Sequence, residues 1–293
     1  MKTKAFTFII VAGILWGTSP LFVSYFSSYG FSSVQMTTAR SIVAVIALAI
    51  YIAIFNRGAF RVGPVDFIIF ALSGISYVGT ATFYYQSMQM TTAATAVVLM
   101  YIAPIVVMIY SVIFFGERFT ALKLLSVVSM LVGCFLVAGV IGGFKFNFIG
   151  ILCGVASGIS YSGYNIFTKI AMRRSSNPLS ATFYAFLTAA TLALFICNPV
   201  EMVEKISVSV SATLPMLILL GAVTCVSPYI LYTLAMRDLS AGTASSLGII
   251  EPMSATIFSM IFLDEMPDVF QIVGIALILW AVVILGKAES KNE

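Results

Sequence analysis

The sequence predicts an all-α membrane protein of ten transmembrane helices, built as two inverted five-helix repeats. Three observations predict it. Apolar runs of membrane length recur along the chain, basic residues crowd one set of connections, and a segment of the first half returns in the second. Of 293 residues, 61% are apolar, 9% are charged and none is histidine. A soluble globular chain carries about 45–50% apolar and ~25% charged residues, so a water-soluble domain is excluded.

Runs of about 20 apolar residues suffice to cross ~30 Å of hydrocarbon. They are expected at about 5–26, 34–55, 66–88, 93–115, 121–141, 148–170, 179–198, 214–236, 242–263 and 268–286. The connections leave no room for a soluble domain. Lys2 and Lys4 ahead of the first run suggest a secretory leader, but the run is longer than a leader's apolar core and no small-residue cleavage site follows it. It is expected to remain as the first helix.

Charge placement gives the orientation. With the N-terminus in the cytoplasm, the inner connections and ends hold Lys2, Lys4, Arg57, Arg61, Arg118, Lys123, Lys169, Arg173, Arg174, Arg237, Lys287 and Lys291, twelve of the fifteen basic residues. The outer connections hold Lys145 and Lys205, and Arg40 falls inside the second span. Basic residues favour the cytoplasmic side, so both termini are expected there, in a cytoplasmic membrane. This distribution also accounts for the net charge of +4 without nucleic acid as a partner.

Residues 94–117 and 242–265 align without a gap at an offset of 148, and ten of the twenty-four positions are identical, among them Thr95/Thr243, Ala96/Ala244, Pro104/Pro252 and Glu117/Glu265. Unrelated apolar helices would share about two or three. The match reaches back through Tyr84/Tyr232 and Met88/Met236, and Gly13-x-x-x-Gly17 pairs with Gly154-x-x-x-Gly158. The expected halves are 1–141 and 148–286, followed by a short cytoplasmic tail, 287–293. Five spans is an odd number, so the second repeat enters the membrane inverted. Such a pair places a binding site near the midplane between the halves and permits alternating access. A duplicated bundle with a purely structural role is the alternative.

The same residues carry a likeness. Trp16-Gly17, Arg40, and Thr95-Ala96 followed by Pro104 and Gly116-Glu117 look like a first EamA-type repeat; Ala241-Gly242-Thr243-Ala244, Glu251-Pro252 and Asp264-Glu265 look like a second. Over nearly its whole length the chain resembles the drug/metabolite transporter superfamily. The resemblance implies a ten-helix, exporter-like carrier with both termini in the cytoplasm, and no particular substrate. The second half departs from the pattern at Ser157-Gly158-Ile159, where a tryptophan would match Trp16, so no symmetric role for Trp16 follows.

Seven residues are candidates for a substrate site: Trp16, Arg40, Tyr77, Tyr84, Tyr101, Tyr161 and Glu251. Glu251 lies nine residues beyond Gly242, about 14 Å into the ninth span at ~1.5 Å per residue. A carboxylate there costs about 2.5–3.5 kcal/mol. It must face a cavity, hold a proton or pair with a base, and Ala244 and Gly248 on its helical face leave space beside it. Pro252 removes a backbone hydrogen bond and frees a carbonyl one turn back, so bracing of a kinked helix is the alternative role. Arg40 stays charged. It either anchors a substrate carboxylate or Glu251, or snorkels to the outer interface. Trp16, Tyr77, Tyr84, Tyr101, Tyr161 and Tyr164 offer aromatic faces and polar tips that suit a moderately polar solute, with packing as the bland alternative; Gln86, Gln89 and Asn165 are further buried-polar candidates. Glu117 and Glu265 follow one helix and precede the next, which suits caps on spans five and ten.

Nothing in the sequence suggests an enzyme. There is no glycine-rich phosphate loop and no histidine base, and Cys134, Cys153, Cys197 and Cys225 lack metal-ligand spacing. No metal or cofactor is expected. The partners expected are a small-molecule substrate and membrane lipid, with protons as a candidate coupling ion. The function these features favour is secondary transport of small metabolites, above all export of amino acids or similar polar metabolites. An importer or cationic-drug exporter of the same fold, or a membrane sensor or scaffold, remains open at this point.

Overall fold

The computed structural model describes residues 2–117, 120–139, 146–264 and 266–290, and all regular structure among them is helical. Arg118, Lys145, Glu265 and Lys291, used above for orientation and capping, lie outside the described residues. The helices in chain order are α1 (Lys2–Trp16), α2 (Ser19–Ser27), α3 (Ser33–Phe55), α4 (Pro64–Met90), α5 (Ala93–Met100), α6 (Ala103–Phe115), α7 (Ala121–Val137) and α8 (Phe148–Arg173). There follow α9 (Pro178–Ile196), α10 (Pro199–Val208), α11 (Val210–Gly221), α12 (Ser227–Ala235), α13 (Ala241–Leu247), α14 (Ile250–Phe262) and α15 (Val269–Ser290).

Eight runs are long and apolar enough to cross a membrane: Lys2–Ser27, Ser33–Phe55, Pro64–Met90, Thr95–Phe115, Pro178–Ile196, Val210–Ala235, Ala241–Phe262 and Val269–Ala288. The apolar helix Ala121–Val137 is shorter. α8 has 26 residues, but it turns the polar side chains Ser157, Ser162, Asn165, Thr168 and Lys169 into the core, which lowers its hydropathy. Large apolar side chains such as Ile113 and Phe195 stand 66% and 85% exposed, as befits helices whose solvent is hydrocarbon.

Local sequence sets the helix starts. Ser32 and Gln35 form a reciprocal capping box at α3, with Gln35 N–H donating to Ser32 Oγ (3.2 Å) and Ser32 N–H to Gln35 Oε1 (2.9 Å). Thr92 caps α5 and Ser240 caps α13, each accepting from the N–H of a threonine three residues on, Thr95 or Thr243. These are equivalent positions at the 148-residue offset. α10 is a short amphipathic helix in a stretch expected to be loop. Asn198 caps it and Pro199 starts it, and it buries only Met202. There a hydrogen bond from Lys205 Nζ at 2.5 Å holds the Glu201 carboxyl below its ordinary range.

Three of the spans are broken by turns, each just before a proline, and a fourth, Val210–Ala235, passes through a π-helical stretch at Ala222–Val226 before Pro228. α1 gives way to α2 at Gly17-Thr18 before Pro20, α5 to α6 at Tyr101-Ile102 before Pro104, and α13 to α14 at Gly248-Ile249 before Pro252. Proline has no N–H to donate four residues back, so the carbonyls of Trp16, Met100 and Gly248 lose their helical partner. Ser19 Oγ donates to the Trp16 carbonyl at 2.6 Å.

Helices from before residue 140 pack mainly on helices from after 146. α4 lies on α8 and α9, α7 on α15, α3 on α9 and α11, α1 on α12 and α14, and α6 on α13 and α8. The core they share includes Ile9, Trp16, Tyr77, Tyr101, Leu247 and Ile250. The two glycine motifs let the broken spans come this close. A Cβ on Gly17 would sit 2.4 Å from Ser254 Cβ and 2.9 Å from Ala255 N, and one on Gly158 would sit 2.8 Å from the Leu99 carbonyl oxygen. Each motif therefore packs at the break of a span in the other half.

The polar contacts around Glu117 differ from expectation in one respect. Glu117 does cap a helix, but Glu117 Oε1 accepts from the N–H of Ala241 at 3.1 Å, at the start of α13. α7, expected as the fifth span, is capped by Thr120, whose Oγ1 accepts from Lys123 N–H. The carboxylate reaches across because α6 and α13 are neighbours. Lys169, also buried, donates through Nζ to the carbonyls of Met236 (2.8 Å) and Leu239 (2.5 Å).

Candidate functional site

The seven candidate residues fall in one interior region, in two groups. The first surrounds Arg40 on α3. Its guanidinium carbon lies 5.6 Å from the centre of the Tyr77 ring, a cation–π distance, and the Tyr77 hydroxyl lies 3.7 Å from Cys225 Sγ. Tyr77 and Cys225 are 148 residues apart, equivalent positions of the two halves facing each other. Tyr77 meets Tyr229 edge-on at 5.6 Å, and Trp16 meets Tyr229 and Tyr232 at 5.0 and 5.5 Å. Phe186 and Tyr164 close the cluster against Tyr229.

Among the described residues, two buried donors in this group, Arg40 Nε and Trp16 Nε1, have no hydrogen-bond partner. A buried donor left unpaired costs about 1–3 kcal/mol, so the pair marks a place where an acceptor is wanted. Arg40 is half-buried, with its guanidinium against the Tyr77 ring.

The second group surrounds Glu251 at the start of α14. The hydroxyl of Tyr101, at the α5–α6 break, lies 3.1 Å from Glu251 Oε2 and 3.2 Å from the Gly248 carbonyl oxygen. That carbonyl is the one Pro252 frees. Its remaining backbone donor is Glu251 N–H at 3.0 Å. The space at Gly248 is taken by Tyr161, whose hydroxyl would be 3.1 Å from a Cβ there. The gap expected beside Glu251 is thus partly filled by a tyrosine. Tyr84 and Tyr161 lie within electrostatic reach of Glu251.

Arg40 and Glu251 form no ion pair among the described residues. Each is half-buried. The site therefore offers a fixed cation and an ionisable acid, separated and set among aromatic rings, one contributed by each half of the chain. Asn165 is fully buried and accepts from the Tyr232 hydroxyl. Gln86 and Gln89 are exposed and do not have the burial expected of them, because they fall in the last turns of α4.

Sequence reasoning passed over Tyr229, Phe186 and Cys225. Cys225 was open to discovery, being the repeat mate of Tyr77. Tyr229 lies one helical turn before Tyr232 on α12, a weaker signal, and Phe186 had none. Among the described residues no cluster of histidine, cysteine, aspartate or glutamate could hold a metal.

Residues 3–139 and 148–287 match the EamA-like transporter family. An uncharacterized transporter of Archaeoglobus fulgidus is 28% identical over 278 residues, 94% of each chain. The uncharacterized transporter YwfM of Bacillus subtilis is 24% identical over 58% of this chain and 56% of its own length. Another from that organism, YdfC, is 27% identical over 62% and 59%. A protein of solved crystal structure shares the fold, with a TM-score of 0.80 over the whole of both chains and 19% identity.

Proposed function

This chain belongs to the EamA-like transporter family, and on that footing we propose that it is a secondary carrier that exports amino acids or similar polar metabolites. Ten spans in two inverted five-helix repeats, with both termini in a cytoplasmic membrane's inner aqueous phase, would rock about the site by alternating access. The observation that carries the reading is Arg40, whose Nε has no hydrogen-bond partner among the described residues, set in the same aromatic core as Glu251. A charged group in a span costs about 2.5–3.5 kcal/mol, and neither residue recovers this by pairing with the other.

A zwitterion fits both. Its carboxylate would meet Arg40 and the Trp16 indole N–H, its ammonium Glu251, and its body the faces of Tyr77, Tyr84, Tyr101 and Tyr161. Ionised, Glu251 holds the ammonium; protonated, it releases it, so proton binding at Glu251 supplies a route for coupling to a gradient. The breaks at Tyr101-Ile102 and Gly248-Ile249 put flexible joints where the halves meet, as alternating access requires.

Transport by the purified protein in sealed vesicles, against a panel of amino acids, organic cations and organic acids under an imposed pH gradient, tests the reading. Saturable, gradient-driven flux of zwitterions supports it. Flux of cations alone would make it a cation exporter, and absence of flux for every class would favour a sensor or scaffold.

A further inference from the structure

We propose that the Tyr101 hydroxyl is a switch that transmits the protonation state of Glu251 to the joint of the broken α13–α14 span. The inference deepens the reading of Glu251 as the ionisable group of the site and assigns Tyr101 as a positioning residue that acts through it.

Tyr101 is 1% exposed, and its hydroxyl stands within hydrogen-bonding distance of two acceptors, Glu251 Oε2 at 3.1 Å and the Gly248 carbonyl at 3.2 Å. A phenol carries one hydrogen and can serve one of them at a time. Which one it serves depends on Glu251. An ionised carboxylate only accepts, and a charge-assisted bond is about twice as strong as a neutral one. The phenol hydrogen then goes to Glu251, and the Gly248 carbonyl keeps Glu251 N–H alone. When Glu251 takes up a proton it becomes a donor. Its O–H can then be given to the Tyr101 oxygen, and the phenol hydrogen turns to the Gly248 carbonyl. One proton is gained, by Glu251, and Tyr101 ends with the hydrogen it began with.

The second acceptor makes this more than a local rearrangement. Gly248 O is free only because Pro252 has no N–H, and Gly248 lies in the break between α13 and α14. Tyr101 itself lies in the break between α5 and α6. Proton uptake at one side chain is therefore reported to the backbone joint of one half by a residue in the joint of the other. The other titratable or charged groups around Glu251 are Arg40 on α3, Tyr84 on α4, Cys134 on α7 and Tyr161 on α8. Of the remaining helices packed on α14, α1, α2 and α15 carry Lys2, Lys4, Tyr25 and Lys287 toward their ends. Among the described residues, Tyr101 is the group that hydrogen-bonds to the Glu251 carboxyl.

Infrared difference spectroscopy between acidic and alkaline buffer, on the protein in lipid nanodiscs with isotope-labelled tyrosine, tests the switch without any substrate. Wild type should show a carboxyl band that titrates together with a change in a tyrosine C–O stretch. Glu251→Gln should lose both. Tyr101→Phe should lose the tyrosine change and keep the carboxyl band, and Tyr161→Phe should keep both. Thermal unfolding of each variant reports that it is folded. A tyrosine change that survives in Glu251→Gln or in Tyr101→Phe overturns the proposal, as does its absence from wild type. A carboxyl band that titrates with no tyrosine change sinks the switch while leaving Glu251 as a proton site, and failure of the vesicle assay changes neither readout.

Discussion

Arg40 and Glu251 were legible from the sequence because a charge in an apolar span has to be justified by something nearby. Their surroundings decide what each substitution should do. If a substrate carboxylate is held by Arg40 in a bidentate fork, Arg40→Lys keeps the charge and loses one of two parallel bonds. A hydrogen bond to a charged group is worth about 1.5–3 kcal/mol, or roughly ten- to a hundred-fold in affinity. Ligand-dependent thermal stabilisation should weaken by that factor in Arg40→Lys and vanish in Arg40→Ala; unchanged values in both would remove Arg40 from the site. Glu251→Gln keeps the shape and an acceptor for the Tyr101 hydroxyl while removing the ionisable group. In proteoliposomes it should exchange substrate across the membrane but lose accumulation driven by a pH gradient, and wild-type accumulation would exclude a proton role. The aromatic partners were less legible. With 13 tyrosines and 24 phenylalanines, nothing in the sequence separates Tyr229 and Phe186 from packing residues. Their rings matter because α9 and α12 happen to converge on α1 and α4.

At the scale of elements, the prolines marked where spans could break, and the glycine motifs marked where helices could touch. Which element each touches follows from packing. Gly17 meets α14 at Ser254 and Ala255, and Gly158 meets the Leu99 and Met100 carbonyls at the end of α5. Backbone cannot yield as a flexible side chain can, and overpacking of this kind costs about 1–3 kcal/mol. Gly17→Ala and Gly158→Ala should therefore lower the thermal unfolding temperature in detergent. Gly58→Ala, whose nearest contact would be 3.7 Å away, should leave it unchanged. Equal stability of all three would mean that the broken spans do not depend on this close approach. Glu117 was legible as a cap but not by its partner. Sequence proximity pointed to α7, whereas the side-by-side placement of α6 and α13 gives it the unpaired N–H of Ala241.

Across the whole molecule, the helices before residue 140 and those after 146 form one body, since each packs chiefly on the other set. The proposed inverted topology, with both termini in the cytoplasm, makes a labelling pattern that can fail. Cysteines introduced at Gly58 and Arg173 should resist an impermeant thiol reagent in intact cells, while one at Ser207, beside Lys205, should react; the native cysteines are buried or half-buried in the spans. The reverse pattern would overturn the placement of the termini, and labelling of Gly58 and Arg173 from opposite sides would overturn the inversion. The sequence by itself determined the helical membrane character, the repeat at 148 and the charged residues within spans, because hydropathy, charge and self-similarity are properties of the chain read locally. It could not determine which helices meet. Only the tertiary structure decided that Tyr77 faces Cys225, that Tyr101 crosses to Glu251 and Gly248, and that Arg40 and Glu251 stand apart. In an apolar solvent the hydrophobic effect does not choose between helix faces, so shape complementarity at glycines and the pairing of buried polar groups fix the arrangement, and both arise only when distant segments are brought together.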